Sequence, residues 1–103
     1  MTPFKLKQTG PGEMTLFVNS DLHGEPGKRF SEWMEKLYAT KCLAIVVDLS
    51  QGIGITSEGI GKLLSVRRRA LEDNRTFKIS GCSDNVYSTF KKIRLHTLIE
   101  IAR

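Results

Sequence analysis

The chain has 103 residues, of which 40% are hydrophobic and 26% charged, and a formal net charge of +5. That length suits one domain, 1–103, with a single modest core, and the composition is that of an ordinary globular protein. No apolar run approaches the roughly 20 residues of a membrane helix, and no apolar leader follows Met1, so a cytoplasmic chain without direct membrane insertion is expected.

Phe4 to Gln8 alternates apolar and polar residues, the mark of a half-buried strand, and Thr9-Gly10-Pro11-Gly12 is a turn signal. Glu13 to Asn19 then sets Met14, Leu16 and Val18 on one face, which predicts an antiparallel hairpin with the first strand. Phe17 points the other way, a sign that helices cover part of that face. Pro26 suits the first turn of a helix, along which Phe30, Trp33, Met34 and Leu37 form one apolar stripe. Leu43-Ala44-Ile45-Val46-Val47 is a continuous, β-branched run and reads as a parallel strand covered on both faces. From Ser57 to Glu72 a second helix is expected, with Ile60, Leu63, Leu64, Val66, Ala70 and Leu71 inward and Lys62, Ser65, Arg68, Arg69 and Glu72 outward.

Asp73-Asn74 turns the chain into a short strand, Thr76 to Ile79. Ser83 or Asp84 caps a third helix that runs to about Ile93, with Val86, Phe90 and Ile93 inward. Leu98 to Ile101 reads as the last strand. The order β-β-α-β-α-β-α-β predicts an α/β fold with a mixed sheet of about five strands and three or more helices. Cys42 and Cys82 fall at opposite ends of this sheet, too far apart to bridge, and read as buried free thiols.

Catalytic and metal-binding patterns are absent from the sequence. His23 and His96 lack metal-ligand spacing, neither cysteine has an evident base, no P-loop is present, and no cofactor is expected. Asp48, at a strand end, reads as a turn or cap residue. The positive charge sits largely in Lys5, Lys7, Arg67-Arg68-Arg69, Lys91, Lys92 and Arg94. With no aromatic residues interleaved and no nucleic-acid motif, these read as a solvated face or a docking surface for an acidic protein. Arg67 is expected to lay its stem along the apolar face.

The most telling pattern is Asp48-Leu49-Ser50, five residues, then Thr56-Ser57-Glu58-Gly59-Ile60-Gly61. It places a hydroxyl at the entry of a helix, where free N–H groups and the positive end of the dipole favour a phosphate. Gly59 and Gly61, which weaken a helix, point to a close backbone approach by a strand or a partner.

This pattern resembles the STAS domain of bacterial anti-sigma factor antagonists, whose Asp-Leu-Ser is followed after the same gap by Asp-Ser-Ser/Thr-Gly-Leu-Gly. Leu22-His23 stands where that family has Leu-Asp, and Gly81 to Ile101 resembles its closing strand-helix-strand. The resemblance implies a non-enzymatic protein-binding switch. Ser57 would be phosphorylated by a partner that is both anti-sigma factor and serine kinase, with a phosphatase to reverse it. The unphosphorylated form would bind that partner through Thr56, Ser57, Glu58, Gly59, Gly61, Lys62 and His23, as a monomer or weak dimer.

Two positions depart from the pattern. Thr56 replaces an aspartate but can still cap the helix. Glu58 replaces a small hydroxyl and sets a carboxylate beside any incoming phosphate, which would weaken phosphorylation or mimic it. The alternative implied by the same resemblance is a constitutive scaffold or accessory subunit, in a stress-signalling assembly or an ABC lipid transporter, with Ser57 unmodified.

Overall fold

The computed structural model describes residues 3–20, 24–51 and 54–102. Strands β1 (Phe4–Gly10), β2 (Glu13–Val18), β3 (Ala44–Leu49), β4 (Thr76–Cys82) and β5 (Glu100–Ile101) alternate, after the hairpin, with helices α1 (Gly24–Ala39), α2 (Ser57–Glu72) and α3 (Asp84–Lys92). A 3-10 turn, Leu95–Thr97, leads into β5. The hairpin turns at Gly12, whose φ of 68° is the left-handed conformation that glycine takes without strain. Asn74 turns the chain out of α2 with φ 59°, the αL exit that asparagine tolerates.

Sheet order follows chain order, β1-β2-β3-β4-β5, with β1 antiparallel to β2 and every later pair parallel. The register brings two contrasting rows into line. Leu6, Leu16, Val47, Ile79 and Ile101 are neighbours across the sheet, and all join the core or pack on it. The next row on the other face is Lys7, Thr15, Val46, Lys78 and Glu100. Phe30, Met34 and Leu37 of α1, Leu63, Val66 and Ala70 of α2, and Val86 and Phe90 of α3 belong to one cluster with Leu16, Val47 and Ile79. All three helices therefore cover the same face.

That arrangement corrects the expectation for the central strand. Among the described residues no helix covers the face that carries Phe17 and Val46, although Val46 is only 2% exposed. It stands between Thr15 and Lys78 in its row, and longer neighbours rather than a second helical layer close over it. The strand also begins one residue later than expected, and Leu43 is exposed.

Three inward assignments are also corrected. Leu64 and Leu71 of α2 lie at the margin and outside, the latter 56% exposed, because only Gly59, Leu63, Val66 and Ala70 are buried on that helix. Ile93 follows the last turn of α3 as its C-cap and is 50% exposed. The closing strand shrinks to Glu100–Ile101, since Leu98 belongs to the preceding turn and Ile99 enters the core. Cys42 and Cys82 are buried free thiols, one before β3 and the other at the end of its parallel neighbour β4.

Ile79, in the middle of the apolar row, should be costly to truncate. Ile79→Ala is expected to lower stability by about 2–5 kcal/mol. Lys78→Ala, one residue along on the open face, is expected to change it by less than about 1 kcal/mol. Urea unfolding of the two variants checks the contrast.

Candidate functional site

The site begins where β3 ends. The Asp48 carboxylate accepts three hydrogen bonds: from the Ser50 amide at 2.9 Å, the Ser50 hydroxyl at 2.5 Å and the Ser80 hydroxyl at 3.1 Å. This is the turn role expected of Asp48, extended by a link to the neighbouring strand. The link depends on a register shift. Val47 pairs with Ile79 and Asp48 with Gly81, so Ser80 is an extra residue in β4, a bulge that re-aims its side chain. A Cβ on Gly81 would stand 3.3 Å from the Ser50 Cβ, a tight contact that glycine avoids. Ser80 and Gly81 were not among the expected site residues. Their signal is a small dipeptide at the exit of a buried strand, which reads equally well as a loop.

From Ser50 the chain leads to α2 and passes Gly54, where an added Cβ would lie 3.9 Å from the Asn85 amide nitrogen. The entry of α2 thus lies beside the first turn of α3. Thr56 is extended (φ −108°, ψ 169°), and its Oγ1 accepts the Gly59 N–H at 3.2 Å, which is the cap expected of it. Its carbonyl accepts the Ile60 amide at 2.9 Å. Ser57 is the first residue of the helix and is exposed, as are Thr56, Glu58 and Gly61. Glu58 places a negative charge in the first turn, in the sense the helix dipole favours.

The other expected docking residues divide. Gly59 is buried and so offers no surface to a partner. A Cβ on Gly61 would meet nothing within 4 Å. Among the described residues no strand approaches it, and the surface there is open to a partner. Lys62 is half-buried and faces a groove of about 240 Å³ between α1 and α2, with Met34, Tyr38, Ser65 and Arg69. His23 lies outside the described residues.

Arg69, expected to be solvated, instead clamps the two helices. It forms an ion pair with Glu35 at 2.5 Å, and its guanidinium lies 3.8 Å over the Tyr38 ring. The hydrogen bond to Glu35 pushes the arginine further up from its usual range, and burial raises the Tyr38 hydroxyl. Arg67 donates from Nε to the Leu98 carbonyl at 3.0 Å. Leu64 and Leu71 flank Arg67 along α2, and Leu98, 54% exposed, adjoins it. The outer side of α2 therefore carries two exposed leucines with Arg67 and Arg68 in the turn between them.

Among the described residues, no cluster of three or more His, Cys, Asp or Glu side chains could hold a metal ion, and no helix is long and apolar enough to cross a membrane.

The STAS domain family profile matches residues 5–103. No curated protein sequence matches the chain. Among solved structures it is similar to a candidate anti-sigma factor antagonist from Thermotoga maritima, with a TM-score of 0.84 and 19% identity over 95% of this chain and 84% of that one. It is similar also to an anti-sigma factor antagonist from Mycobacterium paratuberculosis, with a TM-score of 0.81 and 13% identity over 95% and 82% of the two chains. The anti-sigma factor antagonist SpoIIAA in its unphosphorylated form gives 0.78 at 14% identity, over 97% and 88%. The likeness is one of fold: a five-stranded mixed sheet with three helices.

The α2 entry yields two opposite expectations for stability. Thr56→Ala removes the cap and is expected to cost about 1 kcal/mol. Gly61→Ala fills open space on an exposed helix and is expected to stabilise by about 0.5–1 kcal/mol. Thermal unfolding of both variants tests whether Gly61 serves the fold or something outside it.

Proposed function

The chain belongs to the STAS domain family, and we propose that it acts as an anti-sigma factor antagonist whose binding is switched by phosphorylation of Ser57. One observation carries the reading: Ser57 is exposed as the first residue of α2, behind a formed Thr56 cap and at the carboxyl end of a parallel strand. A kinase can reach such a hydroxyl, and the first turn of the helix favours the phosphate it would carry. The fold shared with proteins of that kind supports the same reading.

The partner would be an anti-sigma factor or related serine kinase, with a phosphatase restoring the binding form. It would contact Thr56, Ser57, Glu58, Gly61 and the exposed edge of α2. Gly61 leaves room for close approach. Arg67 and Arg68 suit an acidic surface, and the exposed leucines suit an apolar one. A phosphoserine adds about −1.5 to −2 charges. Beside Glu58 that would make a concentrated negative patch where the partner's surface must sit. The proposed role involves no catalysis by this chain; it is the substrate of its kinase.

Glu58 itself favours a second reading. An exposed carboxylate already stands next to the acceptor serine, which suits a constitutive scaffold or subunit whose surface is permanently charged.

Peptide mass spectrometry on the protein taken from its own cells, in growth and under stress, separates the two. A phosphate on Ser57 that changes with condition is the expected result; its absence under every condition leaves the constitutive reading. With the partner in hand, Ser57→Ala is expected to bind as the wild type does but without regulation. Ser57→Asp is expected to bind roughly tenfold more weakly or worse. Equal affinity for both variants and wild type would sink the switch.

A further inference from the structure

We infer that the helix-free face of the sheet is a self-association surface, on which a second copy of this chain packs sheet to sheet. This surface is separate from the Ser57 turn, and the inference does not depend on the switch.

The side chains on this face follow from the register. Lys5, Lys7 and Lys78 supply its positive charges and Glu13, Asp48 and Glu100 its negative ones, with Thr15, Phe17, Ala44, Val46 and Thr76 between them. Lys78 and Glu13 pair within the chain at 4.0 Å, which leaves Lys7 and Glu100 at the edges to meet a second copy. Three cations against three anions leave the face neutral on a chain whose net charge is +5. It is thus a broad surface on which two copies can meet without net repulsion.

The charges are also arranged with a direction. Along the central row, Lys7 stands on β1 at one edge, Val46 on β3 in the middle and Glu100 on β5 at the other edge. Two sheets related by a twofold axis running along β3 would set β1 of each copy over β5 of the other. Lys7 then faces Glu100 twice, and Val46 faces Val46. A twofold axis across the strands would instead set Lys5 and Lys7 of one copy against the same strand of the other, which like charges oppose. The charge pattern selects the first arrangement. It also sets β1 and β2 of one copy opposite a shallow hollow of about 340 Å³ flanked by Ala44, Thr76, Lys78 and Glu100.

Asp48 comes near its twin across the axis, but both its carboxylate oxygens are already engaged by Ser50 and Ser80. At strand spacings of about 4.8 Å and rises of about 3.3 Å, the face measures roughly 20 Å by 20 Å. Two copies would cover about 800 Å² in total, below the 1,200–2,000 Å² of a standard stable interface. The dimer is therefore weak and salt-sensitive.

Sedimentation equilibrium of the full chain, at low salt and from micromolar to millimolar concentration, tests this. A reversible monomer–dimer equilibrium is expected. Lys7→Glu and Glu100→Lys are each expected to weaken it by roughly tenfold. The double variant, which exchanges the two charges, is expected to restore it to within about threefold of wild type. Within one copy the two residues lie four strand spacings apart, about 19 Å. Restoration can therefore arise only between copies. Both side chains are exposed, and circular dichroism confirms that each variant is folded. A monomer at every concentration would overturn the proposal. So would a dimer indifferent to both single variants, a double variant weaker than either single one, or a dimer lost instead on Leu64→Asp at the helical face.

Discussion

Every parallel crossover in this protein steps the same way across the sheet, from β2 to β3 to β4 to β5, and much else follows from that constraint. A right-handed crossover that always advances in one direction lays each connecting helix on the same side. Folds that reverse direction partway place helices on both sides. Here α1, α2 and α3 all press on the row Leu6, Leu16, Val47, Ile79 and Ile101, while the row beginning at Lys7 stays open. The molecule is accordingly thin, 21 Å along its shortest axis, about the depth of one sheet and one helical layer. The same constraint brings the entry of each helix to the carboxyl end of the sheet. The loop into α2, at Gly54, and the first turn of α3 are neighbours for that reason.

Within this frame the position of the α2 entry depends on a polar pin. A strand that ends in an apolar run must hand its chain to a loop whose backbone groups need partners. Asp48 supplies them to Ser50 directly, and it reaches Ser80 because β4 carries one extra residue at that level. The bulge therefore joins two strand exits through one carboxylate. Thr56 then closes the first turn of α2. Hydrogen bonds therefore fix both the strand exit at Asp48 and the helix start at Thr56, where Ser57 is presented outward.

How much of this could be read beforehand depends on what kind of information each residue carries. Periodicity located Phe30, Met34 and Leu37, and Leu63, Val66 and Ala70, because a helix on a sheet must bury one stripe. It overstated the width of that stripe. Leu64 and Leu71 continue the apolar pattern but are exposed, and no spacing rule shows how wide a stripe the sheet and the neighbouring helices cover. Val46 is the converse. An uninterrupted apolar run predicts burial on both faces, and burial is what Val46 has, but strand order decides whether a helix supplies it. Thr56 as a cap and Asp48 in the turn were legible because both roles are local. The Ser80 bulge was not, because a register shift is a property of two strands. Nor was the Arg69 clamp, whose partners Glu35 and Tyr38 lie on another helix.

The two faces meet at one residue. By its position in β3, Asp48 stands on the open face, two residues beyond Val46, yet its hydrogen bonds hold the turn that leads to α2. Ser80 shares that position on β4 and binds the same carboxylate. The helix entry carrying Ser57 is thus braced from the side of the sheet that the helices do not touch. A carboxylate accepting hydrogen bonds on both oxygens is held more firmly as water is excluded from around it. Whatever covers the open face also dries this pin. Among the described residues, Asp48 is thus a point at which the open face and the strand exit that leads toward Ser57 share hydrogen bonds.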